Sequence, residues 1–248
     1  MTLSVVVITW NEEERLRPCL ESAAWADEIV IVDAESTDKT VQVAREFTDR
    51  IWVRPWPGFA AQKNFALEQA AGEWLLSLDA DEQVTPELKR EIEGVIARSG
   101  PADGYAIPRK NFFWGAWARH GGLYPDYQLR LFRRGKGRFV ARAVHESVAV
   151  QGPVGRLEAP LLHRSYRSLE EFIERSNRYS TLAAQEWIRS GGTVGWADLV
   201  VRPLARFLAM YVLRGGFLDG RRGLLLAGLY AHYVFLRTAK VLEMSHAR

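Results

Sequence analysis

The stretch LLSLDADEQVTP, residues 75–86, decides the fold because an apolar run ends abruptly in it and acidic side chains follow. Residues 74–78 (WLLSL) have the nearly continuous apolar character of a strand that is buried on both faces of a parallel sheet. Asp79, Asp81 and Glu82 come directly after this strand. Ligands of open parallel sheets bind at the carboxyl ends of the strands, so these acids predict a binding site.

Earlier segments repeat the strand pattern, with helical patterns between them. Strands are predicted at 3–8, 28–32 and 51–53, and helices at 18–24, 37–47 and 60–71. This alternation predicts an α/β fold, a doubly wound and mostly parallel Rossmann-like sheet flanked by helices with right-handed crossovers. Ser36 is predicted to be the N-cap of the second helix, because its hydroxyl can accept a backbone N–H of the first turn.

The second half of the chain changes character. After a predicted helix at 87–97 come an aromatic and basic region with strand-like pieces at 104–108 and 127–133, and then helical patterns at 169–190, 197–213 and 223–243. We therefore expect a sheet domain that carries the binding site over residues 1–165 and a C-terminal helical region over residues 166–248. The arginines between 130 and 142 predict an anionic partner.

Composition and the termini limit where the protein acts. A single cysteine, Cys19, excludes an internal disulfide and a cysteine-based zinc cluster. The first apolar run is too short for a secretion signal, which predicts a cytoplasmic protein. The uncharged run 223–236 is shorter than the roughly 20 residues that cross a bilayer. Arg202 and Arg206 on an apolar helix favour contact with an anionic membrane surface, while packing against the sheet domain or another subunit of a homo-oligomer is the alternative.

Polar residues follow three of the predicted strands and should converge on one rim of the sheet. No G-x-G-x-x-G and no Walker pattern occurs there, which disfavours dinucleotide and P-loop sites. Asp79 and Asp81 can serve as hard oxygen ligands for Mg²⁺ or Mn²⁺, which would point to a phosphorylated substrate. The alternative is that these carboxylates only form a turn before the Pro-led helix.

Four segments, in this order and spacing, resemble the inverting family 2 glycosyltransferases, which have the GT-A fold. They are VVVITWNEEERL (5–16), IVIVDAESTDKT (29–40), QKNFAL (62–67) and LLSLDADE (75–82). The resemblance implies that residues 1–165 form a nucleotide-sugar-binding catalytic domain. It also implies nucleotide contacts by residues at the rim and a metal held by Asp81 and Asp79. The implied nucleotide-binding residues are Asn11, Glu13, Asp33, Ser36, Lys63, Asn64 and Asp79. The chain departs from the family at Ala34-Glu35-Ser36, where Gly-Ser is usual.

The implied reaction is a single displacement with inversion, which needs a base opposite the leaving nucleoside diphosphate. FVARAVHESV (139–148) resembles a Val-His-Glu signature of some family members, so Glu146 is the predicted base, with His145 beside it and Asp126 second. A polar pair at a strand end is the alternative for His145 and Glu146. Arg130 and Arg133 are predicted to hold phosphate or an anionic acceptor. His163 is either a metal or diphosphate contact or a packed histidine.

The segment LRGGFLDGRRGLLLAGLYAHYVFLRTAKVLE (213–243) is similar to the tail of bacterial lipopolysaccharide-core β-glucosyltransferases of family 2. This resemblance implies a UDP-hexose donor, with glucose as the expected sugar, and a lipid-linked inner-core acceptor. It also implies a peripheral enzyme on the inner face of the cytoplasmic membrane. The alternatives are a catalytically silent nucleotide-sugar-binding module and a family 2 transferase that acts on a polysaccharide or a protein. A nucleic-acid partner is disfavoured because the acidic rim would repel phosphates.

Overall fold

The structure is a computed structural model that describes residues 1–98, 100–140 and 147–246. The chain divides into two compact units, Met1–Arg109 with Asp126–Arg164, and Lys110–Pro125 with Ser165–Arg248. The segment Lys110–Pro125 therefore groups with the C-terminal helices, whereas the sequence prediction assigned it to the sheet domain.

Strands and helices alternate through the first part of the chain, as predicted. The strands are β1 (Leu3–Thr9), β2 (Glu28–Asp33), β3 (Ile51–Val53), β4 (Trp74–Asp79), β5 (Glu82–Val84), β6 (Gly104–Phe113), β7 (Ala116–Trp117), β8 (Asp126–Arg133), β9 (Gly137–Val140), β10 (Ser147–Val150), β11 (Val154–Arg156) and β12 (Leu161–Tyr166). The helices are α1 (Glu13–Ala23), α2 (Thr40–Arg45), α3 (Phe59–Gln69), α4 (Pro86–Arg98), α5 (Leu169–Arg189), α6 (Asp198–Leu208) and α7 (Gly220–His246).

The main sheet has the strand order β3-β2-β1-β4-β8-β6-β12-β5. Its first four strands are parallel, with Val6 of β1 opposite Val30 of β2 and Ser77 of β4. Strand β8 pairs antiparallel to β4 and β6. The parallel half, with β1 in its centre, confirms the predicted fold class.

The parallel strands are buried on both faces, which explains their nearly continuous apolar sequences. Val5 and Val7 of β1 belong to the core layer that includes Leu16 of α1 and Ile92 of α4. Val6, which points to the other face, belongs to the layer that includes Leu67 of α3. Successive side chains of a strand alternate between faces, so each strand contributes to both layers.

Helices α1 and α2 begin at residues that differ from the sequence prediction. Helix α1 begins at Glu13, ahead of the predicted residue 18, and contains Pro18 in its interior. Glu13 and Glu14 lie in its first turn, where acidic side chains interact favourably with the helix dipole. Helix α2 begins at Thr40, so Ser36 is not its N-cap, and the prediction that it caps this helix is wrong.

The second unit is mainly helical. Helix α6 continues into a π-helical turn at Ala209–Leu213, and a 3₁₀ turn at Gly216–Asp219 precedes α7. The short strand β7 pairs antiparallel with the end of β6, so that Phe112 lies opposite Trp117. Within the residues that the structure describes, no helix is both long enough and apolar enough to cross a membrane.

Candidate active site at the carboxyl ends of the parallel strands

The loops after β1 and β2 are joined by hydrogen bonds at the rim of the sheet. The backbone N–H of Asn11 donates to the Ser36 hydroxyl at 2.8 Å, and the Asn11 amide oxygen accepts the N–H of Thr37 at 2.8 Å. Asp33, at the buried end of β2, accepts the N–H of Ser36 at 2.7 Å and also its hydroxyl. The structure therefore brings Asn11, Asp33 and Ser36 together.

Glu13 extends the same rim. Its carboxylate accepts the N–H of Lys39 at 2.8 Å, and its own N–H lies 3.3 Å from a carboxylate oxygen of Asp38. Glu35, at the position of the family's usual glycine, has a φ of 57°. This left-handed conformation is one that glycine adopts without steric cost, so the turn keeps a glycine-like backbone although it carries a glutamate.

Asp79, the last residue of β4, is held by two cations. Lys63 Nζ lies 2.8 Å from one carboxylate oxygen, and Arg130 donates a hydrogen bond to the other. Burial raises the pKa of Asp79, but the positive charges of Arg130 and Lys63 lower it by more, so its pKa lies well below the ordinary range. Asp79 is therefore ionised at neutral pH.

Asp81 lies in the turn between β4 and β5, close to a histidine of a distant strand. Its Oδ2 is 3.4 Å from His163 Nε2 and 3.5 Å from a guanidinium nitrogen of Arg15. His163 reaches this place because β12 pairs with β5 in a register that sets it opposite Glu82. Burial raises the pKa of Asp81, and the attraction of His163, with a smaller contribution from Arg15, brings it below its ordinary value.

Asp79, Glu82, Arg109 and Arg130 form a group of buried and partly buried charges, the β4 cluster. Glu82 is its central acid, and the sequence prediction missed this role. Its side chain is fully buried, and one oxygen accepts hydrogen bonds from Arg130 at 2.7 Å and Arg109 at 3.1 Å. The other oxygen accepts the N–H of Asp79 at 3.1 Å. An available signal was the strand alternation of Glu82-Gln83-Val84, which places Glu82 on the same buried face as Val84.

Arg109 and Arg130 approach the acids from neighbouring strands. Arg109 of β6 lies opposite Asp126 of β8 and donates to its carboxylate at 2.7 Å and 3.0 Å, while Gln128 donates to the other oxygen at 2.8 Å. Arg130 lies at an irregularity where the register of β6 and β8 shifts by a residue. Bulges of this kind re-aim side chains beside functional sites.

Two predicted site residues have other partners. The side-chain amide of Asn64 exchanges two hydrogen bonds, both of 2.9 Å, with the backbone of Phe139, so it connects α3 to β9.

Arg133 lies opposite Trp74, at the other end of β4 from Asp79. Its guanidinium lies 3.5 Å from Asp103 and stacks over the Trp74 ring, so Arg133 is not part of the cluster. His145 and Glu146 fall outside the described residues.

The donor set at Asp81 suits a divalent ion that takes most of its ligands from elsewhere. In residues 1–98, 100–140 and 147–246, no group of three or more His, Cys, Asp or Glu side chains is arranged to hold a metal. Asp81 and His163 nevertheless supply two donors close together. Mg²⁺ commonly uses only one or two carboxylates and completes its shell with water and substrate phosphates. The residues present therefore fit an ion that arrives with a diphosphate.

The fold and this rim define a class of protein, an α/β protein with a cluster of buried and partly buried carboxylates at the carboxyl ends of its parallel strands. Residues 4–150 match the model of the glycosyl transferase family 2, and the chain belongs to this family. The protein is therefore a glycosyltransferase, as predicted.

The relatives cover nearly the whole chain. The lipopolysaccharide core biosynthesis glycosyltransferase LpsC of Rhizobium meliloti (strain 1021) is 35% identical, with 98% of this chain and 93% of the relative covered. An uncharacterized glycosyltransferase of Rickettsia typhi is 29% identical, with 98% and 87% covered. The similarity thus includes the C-terminal helices as well as the sheet.

Among solved structures, the mannosyltransferase PcManGT from Pyrobaculum calidifontis, in complex with GDP-Man and Mn²⁺, has a TM-score of 0.55 at 17% identity. The match covers 97% of this chain and 86% of that structure. It supports the predicted GT-A fold and, at this identity, nothing finer.

Proposed function

We propose that this glycosyltransferase transfers a hexose, with glucose as the expected sugar, from a UDP-sugar to a lipopolysaccharide inner-core acceptor with inversion at the anomeric carbon. The observation that carries the proposal is the Asp79-Ala80-Asp81 turn at the end of β4, which lies inside the family-matched region and presents two ionised carboxylates. The acceptor class comes from the name of the 35% identical relative.

The nucleotide contacts in this proposal come from the hydrogen-bonded rim. Asn11, Glu13, Asp33 and Ser36 would bind the base and ribose, because their carboxylate, amide and hydroxyl groups are gathered after β1 and β2. Lys63 and Asp79, already paired at 2.8 Å, would lie at the ribose and diphosphate. Asn64 supports this wall through Phe139 rather than through the nucleotide.

Asp81 and His163 are the residues that would hold Mg²⁺ or Mn²⁺ in this proposal. A divalent ion there would neutralise the negative charge that develops on the leaving diphosphate. Arg130 is engaged with Asp79 and Glu82, so its proposed part is to hold both side chains in place. Arg133 is left out because of its position at the other end of β4.

The base removes the proton of the acceptor hydroxyl as that oxygen attacks the anomeric carbon and the bond to the diphosphate breaks. We keep Glu146 as the proposed base, with His145 beside it. Asp126 is the weaker candidate because both of its carboxylate oxygens already accept hydrogen bonds, from Arg109 and from Gln128. A carboxylate so engaged has less room for an incoming hydroxyl.

Transfer can be tested with UDP-, GDP- and TDP-hexoses, core oligosaccharide as acceptor, and Mg²⁺, Mn²⁺ or EDTA. We expect product only from a UDP-hexose with metal, and an inverted anomeric configuration by NMR. Asp81→Asn should lower the rate by about 100-fold, while the matched change at exposed Asp49, Asp49→Asn, should leave it unchanged. Glu146→Gln should abolish transfer without weakening UDP binding. UDP binding without transfer to any acceptor would support the silent binding module instead.

Membrane contact through α6 is part of the same proposal, at the inner face of the cytoplasmic membrane. None of the residues of α6 is buried, and Val200 and Leu204 on its outer side are 68% and 54% exposed. Arg202 and Arg206 instead lie over the rings of Trp187 and Tyr230. A helix with an apolar outer face and nearby arginines fits the interface of an anionic bilayer.

Sedimentation with anionic vesicles tests this contact. Val200→Glu with Leu204→Glu should abolish vesicle binding, and the matched pair on α5, Leu169→Glu with Ile173→Glu, should not, although those residues are 43% and 45% exposed. If the wild type is a dimer that the α6 pair dissociates, and vesicles are not bound, the face is a subunit contact.

A further inference from the structure

The second unit contains a cavity of about 270 Å³ that no step of the proposed donor chemistry uses. It lies between the β6–β7 hairpin and the start of α7. Its floor is apolar, with Phe113 and Leu226 almost fully buried. Its polar lining consists of Arg119, His120, Asp219 and Arg222. The volume is close to the lower end of ligand pockets, about 300 Å³.

Asp219 fixes one wall of the cavity. Its Oδ2 accepts the backbone N–H groups of Arg119 and His120 at 3.0 Å and 2.9 Å, and its Oδ1 lies 2.7 Å from His120 Nδ1. Burial raises the pKa of Asp219, and the hydrogen bonds from His120 and Arg119 lower it by more. Because the carboxylate is ionised, Nδ1 of His120 is the donor, which leaves Nε2 for a ligand.

Two side chains that line the cavity, Arg119 and Arg222, are cations, and Lys110 lies next to the lining residue Trp117. Lys110 Nζ lies 4.7 Å from the centroid of the Trp117 ring, and the guanidinium carbon of Arg119 lies 4.4 Å from it. The Tyr124 ring packs edge-on against the same ring, with 5.3 Å between the two centroids. Such cation–π contacts hold charges in place without neutralising them. In the part of the chain that the structure describes, neither Lys110, Arg119 nor Arg222 forms an ion pair with a carboxylate. The cavity therefore has excess positive charge.

The hairpin beside the cavity is strained. Trp114 has a φ of 50°, a left-handed conformation that is unfavourable for a bulky residue, and Gly115 follows with a φ of 78°. Trp114 is one of the residues that line the cavity. Strained residues of this kind are concentrated at binding sites, where surrounding packing maintains them.

We propose that this cavity binds an anionic sugar, a residue that carries a phosphate or carboxylate group, and that this sugar belongs to the glycan acceptor. The acceptor assignment rests on the proposed function, whereas the binding site itself does not. The apolar floor suits the C–H face of a sugar ring, Arg119 and Arg222 suit its anionic group, and His120 Nε2 suits a hydroxyl. Inorganic phosphate would leave the floor unused, and an acyl chain would leave the cations unpaired.

Direct binding of small probes tests the site without any transfer reaction. By NMR titration of the full chain, glucose 6-phosphate and glucuronic acid should bind, and glucose should bind at least about tenfold more weakly. Arg119→Gln with Arg222→Gln should weaken both anionic sugars by at least about tenfold. The matched pair on α5, Arg178→Gln with Arg189→Gln, removes the same charge from exposed positions and should change nothing.

The remaining outcomes decide the source of the ligand and the fate of the proposal. A raised acceptor KM in the cavity pair, with an unchanged KM for the UDP-sugar, identifies the acceptor as the source. Lost probe binding with an unchanged acceptor KM identifies a free sugar phosphate instead. Probe binding in an enzyme that transfers no sugar would leave the site standing while the proposed function fails. Equal binding of glucose and glucose 6-phosphate, equal losses in both arginine pairs, or preferential binding of a fatty acid would overturn the site.

Discussion

The chain stabilises its acidic side chains differently at the ends of β2 and β4. After β2, Asp33 accepts the N–H and hydroxyl of Ser36, three residues away, and Asp38 accepts the N–H and hydroxyl of Thr40. These donors are neutral and local, and a further donor that comes from outside the loop, the N–H of Glu13 to Asp38, is also neutral. After β4, Asp79 and Glu82 share Arg130, which is 51 and 48 residues away along the chain. Those donors are charged and remote.

The difference matters because each arrangement has its own energetic risk. A carboxylate with neutral local donors keeps its hydrogen bonds whenever its own loop forms, and losing one of them costs about 1 kcal/mol. A buried carboxylate with remote cations depends on the whole sheet. Removing one partner of a buried ion pair leaves an uncompensated charge, which typically costs about 3–5 kcal/mol. The β4 cluster should therefore be the more sensitive of the two regions.

Glu82→Gln should have the largest effect on stability. The amide keeps the shape of the side chain but leaves Arg130 and Arg109 without the charge that they share in a fully buried position. We expect a loss of about 3–5 kcal/mol in the free energy of unfolding, measured in urea. Glu87→Gln is the matched control, because Glu87 is 62% exposed and its pair with Arg90 is long, at 3.4 Å. Equal losses in the two variants would mean that the buried cluster carries no special weight.

The second-largest difference between the regions after β2 and after β4 should appear in acid unfolding. Folded-state pKa values are lowered for Asp79, well below the ordinary range, and for Asp38, less strongly. A lowered pKa stabilises the folded protein above the unfolded pKa of about 3.9, and this stabilisation is lost as the pH falls through the folded pKa.

The free energy of unfolding should be measured from about pH 5 to about pH 2. As the pH falls, the free energy of unfolding should decline less steeply in Asp79→Asn than in Asp38→Asn. The reason is that two cations lower the pKa of Asp79, whereas hydrogen bonds from Thr40 and Glu13 lower the pKa of Asp38. The opposite order would contradict the contrast between charged and neutral donors.

The same contrast explains what the sequence could predict. The strand runs indicated the parallel sheet because each is apolar on both faces, and the polar residues after β1 and β2 were found because their partners are near in sequence. Arg109 gives no local signal, since its role depends on lying opposite Asp126 and near Glu82. The placing of Arg130 depends on a register shift, and the exclusion of Arg133 depends on the antiparallel pairing of β8 with β4. Such pairings follow from tertiary structure.

The smallest expected effect concerns the turn after β2, where Glu35 is exposed and has a φ of 57°. Glu35→Gly relieves a left-handed conformation that costs about 1–2 kcal/mol. Glycine also gives the unfolded chain more conformational freedom, which lowers the free energy of unfolding by about 0.5–1 kcal/mol. We expect a gain of up to about 1.5 kcal/mol in the free energy of unfolding, measured in urea. Asn11→Gly is the informative partner, because Asn11 has a φ of 52° but also accepts the N–H of Thr37, so this change should not stabilise the protein. A clear loss of stability in Glu35→Gly would show that the Glu35 carboxylate holds the turn, and that this corner also depends on a charge.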